Sequence, residues 1–414
     1  MPGVSQAPSI SRGRYDVAVV GGGILGLSTA RELLGRQPGI RIAVIDKERT
    51  VGAHQTGRAS GVVHRGVYYA AGSLKARLCV AGAARLLEYC DERGIPVLRC
   101  GKVVVATRLD ELPRLEELHR RSLANGVPGV ALIDPDRLRE LEPHAAGIRA
   151  LHSPGTAVVD FSRVADAFAD DVRAAGGEIL LAQEVVGLVR RGGSTMVETT
   201  GGDVEAARVV VCGGVHADRL ATLSGAEPEP RIVPFRGDYL VLRPERRHLV
   251  RGLIYPVPDP AFPFLGIHTT VRPDGEVLLG PNAVLAFARE GYRRRDVSVR
   301  DLADVVRSRG FRRLARRHWK TGTAELVRDL STRRFVAAAR TLLPELTVAD
   351  VLPGPAGIRA QALAPDGTLL DDFVFHEADG VVHVRNAPSP GATSSLAIAE
   401  VIADRVGSVP DRAW

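Results

Sequence analysis

Three glycines and one aspartate carry the first chemical signal. Gly21, Gly23 and Gly26 stand in the spacing G-x-G-x-x-G, and Asp46 follows Gly26 by 20 residues. In a site for an extended dinucleotide each has a separate job. Gly21 permits a tight turn. Gly23 removes a Cβ where a pyrophosphate must approach the backbone, and Gly26 lets a helix lie close on a sheet. A helix starting here offers unpaired N–H groups and a partial positive charge to the phosphates. The Asp46 carboxylate can accept hydrogen bonds from ribose hydroxyls.

The elements around these residues suit the task. Residues 15–20 form a continuous β-branched apolar run, which predicts a buried parallel strand. Residues 27–34 read as a helix and 41–45 as the next strand, which together make a βαβ unit. A second strand ending in a double glycine runs through Val209-Val210-Val211-Cys212-Gly213-Gly214. Residues 74–93 have helical periodicity, stopped by Gly94. Residues 102–107 are strand-like, 111–125 and 136–142 helical, and 144–160 loop and short strand. Ser162 is placed to cap a helix that ends at Gly176-Gly177. Short strands follow near 178–181, 185–189 and 196–200. Alternation among prolines over 231–285 predicts an antiparallel sheet, and 297–340 reads as arginine-rich helix. The C-terminal part contains a strand at 381–384, the loop Asn386-Ala387-Pro388-Ser389-Pro390-Gly391, and a helix starting near Ala392 and closing at Arg405.

Composition sets limits. The 414 residues are 45% hydrophobic, enough for two or three domains. Glycine occurs 44 times, which favours many tight turns. Aromatic residues make up only 5%, against a stacking platform for single strands. The net charge of +7 is carried almost wholly by arginine, because Lys47, Lys75, Lys102 and Lys320 are the only lysines. The arginines are scattered among acids, so they read as solvated helix faces and no nucleic-acid partner is expected. Attraction to an anionic membrane surface is at most peripheral. Cys79, Cys90, Cys100 and Cys212 make no C-x-x-C pair and read as reduced thiols of a cytoplasmic protein. Residues 1–14 read as a flexible tail without a signal-peptide core, and no apolar run approaches the ~18 residues of a membrane span.

The strand-plus-glycine units at 15–26 and 209–214 and the Gly/Pro/Ser loop before the last helix form a three-part layout. That layout suits FAD, with the ADP half on the first unit and the flavin under the C-terminal helix, whose positive end faces the flavin pyrimidine. More specific blocks extend the pattern: His54-Gln55-Thr56-Gly57, Ser60-Gly61-Val62-Val63-His64, Tyr68-Tyr69 and Gly72-Ser73-Leu74-Lys75. Ile254-Tyr255-Pro256-Val257-Pro258, Phe264-Leu265-Gly266-Ile267-His268, Gly280-Pro281-Asn282-Ala283 and Gly357-Ile358-Arg359-Ala360-Gln361 follow. With these, the chain from Tyr15 to about Arg405 resembles the L-2-hydroxyglutarate oxidases and dehydrogenases, within the D-amino-acid-oxidase-like flavoproteins. The resemblance implies an α/β fold with a Rossmann-like FAD domain built from discontinuous segments (15–95, 145–230 and 345–414). A substrate domain of antiparallel sheet and helices would comprise 96–144 and 231–344. It also implies FAD-dependent oxidation of a 2-hydroxy acid to a 2-oxo acid, with electrons passing to dioxygen or a quinone. The expected cofactor-binding set is Gly21, Gly23, Gly26, Asp46, Lys47, Ser60, Gly61, Val185, Gly213, Gly214, Ser389, Gly391, Ala392 and Thr393.

Oxidising a small hydroxylated substrate requires hydride delivery to flavin N5, a base for the hydroxyl proton, and a grip on carboxylates. Imidazole titrates near neutrality, and His64 and His268 are both candidates. Arg359, between the small residues Gly357 and Ala360, is the candidate carboxylate clamp. Tyr255 and Asn282 can add hydrogen bonds. Two positions depart from the family pattern. Arg58-Ala59 stands where His-Asn is expected, and Asp238-Tyr239-Leu240 replaces Glu-Tyr-Tyr. Arg58 in the pocket would shift the substrate; Arg58 turned outward would leave 2-hydroxyglutarate in place. Oxidation of a C–N bond, oxidation of a specialised alcohol, and a nucleotide-binding protein without turnover remain the alternative readings.

Overall fold

The computed structural model describes residues 13–259, 266–329 and 331–407. Most of the expected N-terminal tail, together with Phe264 and Leu265, lies outside them. The strand Arg14–Val20 alternates between two cores. Val17 and Val19 face one side with Leu27, Phe168 and Ile398, while Ala18 and Val20 face the other with Val209 and Val211. This period of two on a strand covered on both faces is what a buried parallel sheet requires. In register, the parallel strands run Glu178–Leu180, Ile42–Ile45, Arg14–Val20, Val204–Val211 and Val381–Asn386. Val185–Arg191, Ser194–Thr199 and Val374–Ala378 complete this eight-stranded sheet antiparallel. The helices Ile24–Arg36, Leu74–Glu92, Phe161–Ala174 and Ser395–Val406 pack on one face.

The second layer is built around Arg231–Leu242. It pairs antiparallel with Val277–Gly280, with Val284–Leu285 and, over most of its length, with Val351–Leu363. His268–Val271 extends this sheet beyond Val277–Gly280. A third sheet joins Leu253–Pro256, Lys102–Ala106, Arg149–Ser153 and Ala131–Ile133.

Three sequence expectations change. Asp160, rather than Ser162, caps Phe161–Ala174, because its carboxylate accepts from the Ser162 N–H at 2.9 Å. The region 231–285 is not one antiparallel sheet, because Leu253–Pro256 leaves it to pair parallel with Lys102–Ala106. Strand pairing also divides the chain differently. Val351–Leu363, expected within the nucleotide domain, belongs to the sheet of Arg231–Leu242, and Arg149–Ser153 pairs with Lys102–Ala106.

Candidate active site

A cavity of about 1200 Å³ runs between the two layers, from the glycine turn to the long strand Val351–Leu363. Gly21 adopts φ +114°, a left-handed conformation that favours glycine. A Cβ on Gly26 would collide with the Gly21 carbonyl, so Gly26 serves the helix–sheet contact and does not line the cavity. A Cβ on Gly23 would meet only the Thr56 hydroxyl, at 3.5 Å, within contact range. Gly23 is the N-cap of Ile24–Arg36 and has no side chain of its own there; the Thr56 hydroxyl accepts from the Ile24 N–H at 3.1 Å. Asp46 lines the cavity from the end of Ile42–Ile45. Its carboxylate is fixed by the N–H groups of Gly22 at 2.6 Å and Glu48 at 2.8 Å, and each oxygen keeps accepting capacity.

Lys47, Ser60, Val185, Gly213, Gly214, Ser389, Gly391, Ala392 and Thr393 line the same cavity. Lys47 is held between Glu48 and Glu290. Gly61, at φ +87°, packs against the Val159 carbonyl instead of the cavity. The Thr393 hydroxyl donates to the Val62 carbonyl and accepts from the His64 N–H, both at 3.2 Å. The turn before the last helix is thereby tied to the strand that delivers His64.

His64, Tyr68, Tyr239, Tyr255, His268 and Arg359 cluster in the cavity lining. Burial pushes the His268 imidazole down to about 3, with the Arg359 and Lys102 charges adding to it. Burial, then Lys102, His268 and Lys75, hold His64 well below the ordinary histidine range. Both imidazoles are therefore neutral at pH 7, with a ring nitrogen lone pair, and burial makes each a weaker base than a free imidazole. Burial also lowers the Arg359 guanidinium and raises the Tyr255 phenol. Asn282 does not line the cavity, and its Oδ1 accepts from the Asp238 N–H at 2.7 Å. Arg58 lies at the cavity edge with its guanidinium carbon 3.8 Å above the Tyr292 ring.

Sequence reasoning gave no role to Lys75, Lys102, Tyr68 or Tyr239. Lys102 is 2% exposed, and its Nζ has no hydrogen-bond partner. It sits 4.5 Å from the Tyr68 ring centre and 5.2 Å from that of Tyr255. The scarcity of lysine was the available signal. Of the four lysines, Lys47 and Lys75 line the cavity and Lys102 stands behind its wall.

The residues fit FAD. The glycine turn leaves room for a pyrophosphate, Asp46 is placed for a ribose, and two buried polar atoms in the lining, His64 Nδ1 and the Tyr68 hydroxyl, lack partners within the protein. The FAD dependent oxidoreductase family matches residues 16–405, and the chain belongs to it. Among its relatives are mitochondrial L-2-hydroxyglutarate dehydrogenases. The protein of Nematostella vectensis is 49% identical over 410 residues, covering 94% of this chain and 90% of that one. The human protein is 47% identical over 415 residues, covering 96% and 90%. The L-2-hydroxyglutarate dehydrogenase of Indibacter alkaliphilus is 42% identical, covering 94% and 98%. Among solved structures, the L-alpha-glycerophosphate oxidase of Mycoplasma pneumoniae with FAD bound superposes with a TM-score of 0.79 at 22% identity, covering 96% and 95%. The glycine oxidase of Geobacillus kaustophilus gives 0.71 at 22% identity, covering 97% and 96%. These two share the fold. The chain is an FAD-dependent oxidoreductase with the D-amino-acid-oxidase-like architecture. Among the described residues no helix is long and apolar enough to cross a membrane.

Proposed function

We propose that this oxidoreductase converts L-2-hydroxyglutarate to 2-oxoglutarate. The observation that carries the reading is a buried guanidinium, Arg359, sharing a cavity lining with two buried imidazoles and acting on one of them, His268, in a chain that is 42–49% identical to L-2-hydroxyglutarate dehydrogenases. Arg359 holds a substrate carboxylate in a bidentate grip. His64 or His268 takes the hydroxyl proton. His268 is already in a usable tautomer, because its Nδ1 donates to the Gly266 carbonyl at 2.9 Å and leaves the Nε2 lone pair free. Bound FAD supplies the two-electron acceptor for the carbinol C–H. Tyr68, Tyr239 and Tyr255 close the wall and exclude water. The stacking of Arg58 on Tyr292 supports an unshifted substrate, because the aromatic face holds the guanidinium in place.

The electron acceptor in this reading is a quinone or dioxygen, with membrane contact no more than peripheral. The four free cysteines support a reducing compartment, which we take to be the cytoplasm. Turnover by the holoenzyme on L-2-hydroxyglutarate, L-glutamate, glycine and glycerol phosphate tests the substrate class. Activity confined to the hydroxy acid supports the reading, and ammonia release from an amine donor contradicts it.

A further inference from the structure

The main cavity has a neighbour. A second cavity of about 420 Å³ lies against the segment 50–59, with Arg272, Leu278 and Pro355 on its other side. Gly52, Ala53, Arg58, Ala59 and Tyr239 line both spaces. The loop and one tyrosine side chain are thus what part the two.

The charges on either side of that partition match. Arg359 lines the main cavity and Arg272 the second, and both act on the Tyr239 phenol between them. The carboxylates of Asp274 and Glu276 stand 3.9 Å from the Arg272 guanidinium, at the outer limit of ion pairing. Neither carboxylate is in hydrogen-bond contact, so the Arg272 guanidinium keeps donors for a close bidentate grip on an incoming carboxylate. Arg58 contributes a second cation at the rim. Position 59 is alanine, the smallest chiral side chain, at the mouth shared by both cavities.

We propose that the second cavity is the entrance by which a dianionic 2-hydroxy acid reaches Arg359, with Arg272 as its first electrostatic contact. The proposal rests on the dicarboxylate reading above. FAD held at the glycine turn would fill that end of the main cavity, and substrate would then arrive from another side. A door flanked by arginines concentrates small anions and raises their association rate. The carboxylate passes from Arg272 to Arg359 around Tyr239, with a cation at each end of the step.

The test uses the FAD holoenzyme and glutarate, a dicarboxylate without an oxidisable hydroxyl, with binding followed by stopped-flow flavin absorbance. In Arg272→Gln the glutarate association rate constant should fall by about threefold to tenfold, within the range of electrostatic steering. The salt dependence seen in the wild type should flatten, and the loss in turnover should appear in KM more than in kcat. Arg272→Lys, which keeps the charge, should keep most of the rate. Ala59→Phe should slow association by narrowing the mouth, which gives a test independent of any folding defect in the Arg272 variant. Association within twofold of wild type in both Arg272→Gln and Ala59→Phe would overturn the entrance while leaving the substrate reading intact. A wild-type holoenzyme that neither binds glutarate nor is reduced by a 2-hydroxy dicarboxylate would overturn both.

Discussion

His268 and Tyr255 stack in the cavity wall, with ring centres 3.9 Å apart and planes inclined by 24°. They arrive from different sheets, Tyr255 on Leu253–Pro256 and His268 at the start of His268–Val271. The stack fixes the ring plane, and the bond to the Gly266 carbonyl fixes the tautomer. Removing a general base typically costs ~10²–10⁴ in rate. Flavin reduction measured by stopped flow should slow by at least the low end of that range in either His268→Ala or His64→Ala. Because burial holds both imidazoles below the ordinary histidine range, wild-type kcat/KM should stay level from pH 8 to below pH 6. Near-wild-type reduction in both variants would remove imidazole from the proton step.

The same burial makes stability depend on pH. His268 is pushed down to about 3 and His383 to about 4, in each case chiefly by burial. Both titrate near 6.5 when unfolded. Between those values the unfolded chain binds protons that the folded chain does not. Stability should therefore be full above about pH 6.5 and fall as the pH drops, by up to about 1.4 kcal/mol per pH unit for each such group. Urea midpoints from pH 7.5 to 5 give the sign, and a midpoint that rises on acidification would contradict it.

Glycine substitutions should separate cofactor binding from folding. Gly23 has space on the protein side, so Gly23→Val should purify folded and colourless. Gly26→Ala drives a methyl into the Gly21 carbonyl and should lose thermal stability as well. Flavin absorbance with circular dichroism distinguishes the two, and full flavin occupancy in folded Gly23→Val would refute the placement of the pyrophosphate.

The βαβ unit was legible because its signal is local: an apolar run, a glycine turn and a helix in immediate succession. Val351–Leu363 was not, because Pro353, Gly354, Pro355 and Gly357 punctuate it like a loop. Its long pairing with Arg231–Leu242 outweighs that local preference. Leu253–Pro256 reads as an ordinary strand, but its partner Lys102–Ala106 lies some 150 residues earlier, and no local pattern names it. At the site, the two histidines were marked by the blocks that carry the family resemblance, and Arg359 by its small neighbours Gly357 and Ala360. Lys102 and Tyr239 matter through what they face, and that exists only once the sheets are assembled.

A buried ion pair braces the nucleotide side. Arg289 and Asp218, 2% and 0% exposed as side chains, meet at 2.5 Å, and Arg289 also donates to the Val215 carbonyl. Removing one partner strands the other charge, at a typical cost of ~3–5 kcal/mol. Arg289→Met should lower unfolding free energy by that order and weaken flavin retention beside Gly214 and Val215. A loss below 1 kcal/mol in denaturant titration would show that the pair is dispensable.

Arg58 resting on Tyr292 leads to a small effect of restoring the family pattern. The double change Arg58→His with Ala59→Asn should alter kcat/KM on L-2-hydroxyglutarate by less than about tenfold, or ~1.4 kcal/mol of transition-state binding. A larger gain would mean that Arg58 faces the substrate in the working enzyme.

One anaerobic half-reaction tests the oxidation of L-2-hydroxyglutarate by the flavin. Holoenzyme is mixed with L-2-hydroxyglutarate in the absence of any electron acceptor, and flavin bleaching and product are measured together. Complete bleaching is expected, with one 2-oxoglutarate formed per flavin. A flavin that stays oxidised with L-2-hydroxyglutarate but bleaches with an amino acid, releasing ammonia, would contradict it.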